Sequence, residues 1–257
     1  MTVAFGPVER CDVGGDEYKW VLERLHGDQS TVLLYGSRAR GDARADSDID
    51  VLQVVETNPH CYSVDNINVA AYTFGHLEQL ASRGSLYMRH LKYEAVILRD
   101  DDGLTKDIFA MYRDPRDYAA LRRELAIVVS VLGIDGSRRG EPSESRVYAY
   151  VLRTLIYAEC AMRGEIEFDV VRAANSVDLP NVGLSIREKT VTYEMFDTFS
   201  KIMLDRAGVL PPKVKPRTFG EAVLWTGVEH PLAGALLESF AGAVGELEYT
   251  ALTLPLA

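Results

Sequence analysis

The first hundred positions alternate between short dense apolar runs and polar loops. Thr31 to Tyr35, Ile49 to Val55 and Ile67 to Thr73 are rich in β-branched residues, are bounded by Gly, Ser and Asp, and predict three strands. Ala95 to Leu98 predicts a short fourth strand, closed by the turn signal Asp100-Asp101-Asp102-Gly103. Around these runs the apolar spacing turns helical. Trp20, Val21 and Leu25 recur within Asp16 to His26, with Asp16 as a candidate cap, and two further stretches, His76 to Ser82 and Leu86 to Tyr93, are split near Gly84. Beyond about Asp114 helical periodicity takes over, in Leu121 to Leu132, Val147 to Met162, Tyr193 to Leu204 and Leu232 to Leu247. Gly, Ser and Pro cluster at Asp135 to Pro142 and at Gly208 to Pro216, and break it. The pattern predicts an α+β domain over 1–114 followed by an all-α helical domain over 115–257.

In the helical half, Val151, Leu155, Ala158 and Met162 form a stripe that reads as core. Tyr148, Tyr150 and Tyr157 read as aromatic packing at a helix interface, with stacking on a base as the alternative. Glu165 to Asp169 reads as the approach to a helix.

Chemistry concentrates in the first half. Leu33 to Val55 reads LLYGSRARGDARADSDIDVLQVV: a strand, a Gly-Ser turn, a polar loop, then a strand opening on Asp48-Ile49-Asp50. Residues two apart on a strand share a face, so Asp48 and Asp50 project together. Their repulsion is relieved by a hard divalent cation, and Mg²⁺ is commonly held by one or two carboxylates plus substrate phosphates. Gly36 suits a tight turn near a ligand, and the Ser37 hydroxyl can donate to a phosphate oxygen. Gly36 to Gly41 has P-loop spacing, but Asp42 stands where the phosphate-binding Lys is required, which excludes a Walker ATPase. YGSRARG does not satisfy the G-x-S-x-G nucleophile elbow either.

Gly36-Ser37, ten intervening residues and then Asp48-Ile49-Asp50 resemble the signature of the DNA polymerase β-like nucleotidyltransferase superfamily, and GSRARG with SDID resembles its minimal branch. The resemblance covers roughly residues 10–114 and none of the helical half. It implies a mixed sheet flanked by helices, nucleotide phosphates at Gly36 and Ser37, and Mg²⁺ (or Mn²⁺) at Asp48 and Asp50. It also implies transfer of a nucleoside monophosphate, AMP from ATP as the leading choice, to a hydroxyl, with release of pyrophosphate. A third carboxylate, acting as base, is expected on the neighbouring strand, where Asn68 stands and cannot accept a proton. Asp65 or Glu94 as a relocated base, substrate-assisted chemistry, and nucleotide binding without turnover in a regulatory or toxin-antitoxin module all stay open. Arg38 and Arg40, and less so Arg44, are candidate phosphate contacts. His90 lies four residues before Glu94, a spacing that suits a structural pair.

A formal net charge of -10 argues against nucleic-acid binding through the whole surface. It favours a cationic small molecule or a protein over RNA as acceptor, and Lys213, Lys215 and Arg217 read as a solvated linker. The sequence leaves a monomer or a homodimer open. Cys11, Cys61 and Cys160 are scattered and suggest neither a disulfide framework nor a zinc site. With no apolar stretch of spanning length and no leader pattern, a soluble cytoplasmic protein is expected.

Overall fold

The computed structural model describes residues 18–27, 29–134, 142–214 and 216–240. The described residues form two compact units: those up to 84 with 88–113, and 85–87 with those from 114 to 240.

The elements of the first part are α1 (Lys19–Leu22), β1 (Thr31–Tyr35), α2 (Gly36–Arg40), β2 (Ile49–Val55), β3 (His60–Val64), β4 (Ile67–Thr73), α3 (Phe74–Ser82), α4 (Leu86–Glu94), β5 (Val96–Asp100) and α5 (Leu104–Met111). The strands form a five-stranded mixed sheet in the order β3-β4-β2-β1-β5. β2 and β4 run parallel, and the other neighbours are antiparallel.

β1 is buried along its whole length because both faces of the sheet are covered. On one face Val32, Leu34, Ile49, Val51, Ile67 and Val69 pack with Val21 and Leu25. The residues between them, such as Leu33, Leu52 and Ala70, are buried on the other face. The helix expected from Asp16 to His26 is regular only over α1; Asp16 itself lies outside the described residues.

β3 was not anticipated. It is an edge strand paired only with β4, so its residues are largely accessible and its apolar signal is weak. Val64 pairs with Ile67, which leaves Asp65 and Asn66 as a two-residue turn, with Asp65 at φ 54°. Asp tolerates that left-handed backbone better than most residues.

The second part contains α6 (Ala119–Leu132), α7 (Pro142–Met162), α8 (Val170–Ser176), α9 (Pro180–Arg187), α10 (Tyr193–Arg206), α11 (Phe219–Glu229) and α12 (Pro231–Phe240). Asp169 caps α8 by accepting from the Arg172 N–H at 2.8 Å, so Glu165 to Asp169 does lead into a helix. The expected helix through Leu247 is described only to Phe240, and Lys215 is outside the described residues. α9 and α11 were not anticipated; α9 crosses α8 so closely that a Cβ on Gly183 would sit 2.7 Å from the Val170 carbonyl oxygen.

Val151, Leu155 and Ala158 are fully buried, but Met162 is 41% exposed, a correction to the expected stripe: it is the last residue of α7 and runs past the packed part of the helix. Tyr148, Tyr150 and Tyr157 are buried in the helical core. Tyr148 stacks on Phe196 with centroids 4.7 Å apart, and the Tyr157 hydroxyl donates to the Phe168 carbonyl at 2.6 Å. No described helix is long and apolar enough to cross a membrane. Cys61 and Cys160 are not in disulfides, and Cys11 is outside the described residues.

Candidate active site

β1 runs into Gly36 with Tyr35 still extended, and Gly36 then turns the chain at φ 75° into the single turn of α2. The space beside Gly36 is also occupied. A Cβ built there would lie 2.5 Å from Asp50 Oδ2, so the Asp50 carboxylate occupies the space a side chain would need. The Gly36 turn and the Asp50 carboxylate are therefore packed against each other. Gly41, at φ 78°, closes α2, with its N–H donating to the Arg38 carbonyl at 3.3 Å.

Asp50 is opposite Tyr35 on β1 and in register with Asn68 on β4, and Asn68 in turn is opposite Ser63 on β3. Paired residues on adjacent strands share a face, so Tyr35, Asp50, Asn68 and Ser63 form one row across the sheet. Ser63 Oγ donates to Asn68 Oδ1 at 3.0 Å. Asp48 is exposed and lies one residue before β2, just outside the paired strand.

Residues 17–97 match the nucleotidyltransferase domain family, a span that holds β1 to β4, the Gly-Ser turn and the carboxylates. This part of the chain is a nucleotidyltransferase domain of the polymerase β-like kind. No curated protein matches the chain.

Within the nucleotidyltransferase domain the loop between α2 and β2 is pinned by its own polar groups. Arg38 Nη2 donates to the Ser47 carbonyl at 2.9 Å, and the Arg44 N–H donates to Ser47 Oγ at 2.8 Å. Arg38 Nε is buried without a hydrogen-bond partner among the described residues.

Arg40 is engaged differently. Its Nη1 lies 2.9 Å from Glu94 Oε2 and its Nε 3.2 Å from Asp42 Oδ2. Burial by itself would pull the Arg40 pKa down, yet Glu94 and then Asp42 hold it above its ordinary value. His90 Nε2 lies 2.8 Å from the same Glu94 oxygen, and the His90 ring meets Tyr35 edge-on with centroids 5.7 Å apart. The chain of contacts from Asp42 through Arg40, Glu94 and His90 to Tyr35 braces the turn that carries Gly36 and Ser37.

Asp65 sits on the β3–β4 turn and pairs with Arg24 at 2.9 Å, both side chains being well exposed. Arg24 lies between Val21 and Leu25, which cover the face opposite Asp50. Sequence reasoning missed Ser63 because it missed β3. The signal for it was the Asp65-Asn66 turn, which pairs two strands only if a strand precedes it.

Among the described residues no group of three or more His, Cys, Asp or Glu side chains is arranged to hold a metal ion. The donors that are present, the Asp48 and Asp50 carboxylates, are hard oxygen ligands of the kind Mg²⁺ and Mn²⁺ take together with substrate phosphates. The site's chemistry fits such an ion.

Proposed function

We propose that this domain moves a nucleoside monophosphate, AMP from ATP, onto an acceptor oxygen and releases pyrophosphate. The observation that carries the proposal is the approach of Gly36 to Asp50: the turn read as phosphate-binding lies directly against one of the two carboxylates read as metal ligands. In this reading the Gly36-Ser37 turn takes the triphosphate, with the Ser37 hydroxyl and the Arg38 guanidinium as donors to its oxygens. Arg40 acts through the turn, its charge being met by Glu94 and Asp42. Asp48 and Asp50 would hold Mg²⁺ or Mn²⁺. When bound, the cation neutralises charge on the phosphates and on the leaving pyrophosphate.

In this reading the protein works in the cytoplasm. The second reading, a nucleotide-binding module with little or no turnover, is favoured by Asn68, which stands beside Asp50 and cannot act as a base.

The test is incubation of the protein with ATP labelled on its α-phosphate and Mg²⁺ or Mn²⁺, alone and with cell extract, following pyrophosphate and labelled product. Asp48→Ala and Asp50→Ala are each expected to abolish transfer and leave the melting temperature near that of the parent. Nucleotide binding without product in every condition would select the second reading.

A further inference from the structure

This inference rests on the nucleotidyl-transfer reading and concerns its second reactant. Asp50 has two flanks. On the β1 flank stands the Gly36-Ser37 turn, and on the β4 flank stands Asn68 with Ser63 beyond it. Displacement at the α-phosphorus places the attacking and leaving oxygens roughly in line. With the pyrophosphate end at the Gly36-Ser37 turn, the acceptor enters over β4 and β3.

Beyond the Asp50 carboxylate, the two groups of this row that β4 and β3 supply are neutral. The Ser63 hydroxyl donates to Asn68 Oδ1, and Nδ2 makes no hydrogen bond to any described residue. The amide's acceptor atom is thus engaged and its two N–H donors remain. Against the hydroxyl acceptor that the resemblance implies and the cationic small molecule that the net charge favours, we propose that the acceptor atom is an oxyanion, that of a phosphate monoester or a carboxylate, and that Asn68 Nδ2 binds it.

The physical reason is the direction of the hydrogen bond. A carboxylate at position 68 would accept a hydroxyl's proton and repel an anion. An amide N–H cannot take a proton, but it makes a charge-assisted bond to an oxygen that has none to lose. The two carboxylates considered as relocated bases are already engaged, Asp65 by Arg24 and Glu94 by Arg40 and His90. In the reaction a lone pair of the acceptor oxyanion forms the new bond to the α-phosphorus. The bond from that phosphorus to the α,β-bridging oxygen breaks, and its electron pair leaves on pyrophosphate. No proton moves and nothing is oxidised or reduced. The product is a phosphoanhydride from a phosphate acceptor, or an acyl-phosphate anhydride from a carboxylate.

The linkage in the labelled product decides the matter. The protein is incubated with α-labelled ATP, Mg²⁺ and cell extract, and the product is purified for phosphorus NMR and treated with hydroxylamine. An anhydride is expected; cleavage by hydroxylamine marks a carboxylate acceptor and resistance marks a phosphate. A phosphodiester would overturn the oxyanion assignment while leaving nucleotidyl transfer intact, whereas the absence of any labelled product would remove the transfer reading itself. With the acceptor in hand, Asn68→Ala is expected to raise its KM about tenfold or more, with a smaller change in kcat and unchanged ATP binding. Asn68→Asp should raise the KM further by repulsion. An Asn68→Asp protein with an unchanged or lower KM would refute the role given to the amide.

Discussion

Replacing Gly36 by alanine strikes the site at a single atom, and the consequences can be worked out from geometry. The backbone is at φ 75°, which costs an L residue about 1–2 kcal/mol. The new Cβ would stand 2.5 Å from Asp50 Oδ2, where ordinary contacts begin at 3.4 Å, so the carboxylate or the turn must shift by about an ångström. A displacement of that size in catalytic machinery costs on the order of 100-fold in rate. Gly41→Ala supplies the control, because Gly41 has nearly the same φ, 78°, but nothing within 4 Å of a Cβ. Both variants should therefore lose about 1–2 kcal/mol in denaturant unfolding. Only Gly36→Ala should also lose transfer by about 100-fold, measured as labelled product per unit time at saturating ATP. Equal rates in the two variants would show that the Gly36–Asp50 contact does not shape the active site.

The remaining predictions concern the bracing network and the helical core. Glu94→Gln removes the charge shared by Arg40 and His90 and should cost about 1–3 kcal/mol of stability, read by denaturant unfolding; lost transfer with unchanged stability would instead make Glu94 a chemical group. Burial pushes the Tyr150 phenol up from 10.0 to about 12, against smaller lowering effects of Thr154 and Arg153. The unfolded chain gives up this proton at lower pH than the native protein does, so stability is whole below about pH 10 and falls as the pH rises toward 12, by about 3 kcal/mol at full titration. Tyr150→Phe should flatten that fall in unfolding curves taken from about pH 8 to about pH 11. Burial likewise pushes the Cys160 thiol up to about 11, so peptide mapping after mild alkylation of the native protein should find Cys160 unmodified.

Two kinds of information separate cleanly in this chain. β1, β2 and β4 could be read as apolar runs because each is buried on both faces, and burial on both faces leaves its mark in consecutive residues. β3 could not, because an edge strand is specified by its partner: His60 to Val64 become a strand by pairing with Ala71 to Ile67. The pairing of His90 with Glu94 follows from helical spacing, whereas the approach of Arg40 to that pair spans 54 residues and depends on how α2 and α4 pack.

By itself the sequence determined the local parts of the site: a glycine and a serine at a turn, two carboxylates at the head of a strand, and a neutral amide at the head of another. These follow from side-chain chemistry and from periodicities of two and 3.6 residues, which act between near neighbours. Only the tertiary structure decided what those parts do to one another. The sheet register sets Asn68 beside Asp50 and Ser63 beside Asn68, and the fold brings the Asp50 carboxylate into the space that Gly36 leaves empty. Register and close approach are properties of packed strands, fixed by burying one face of every strand at once, and no single segment carries them.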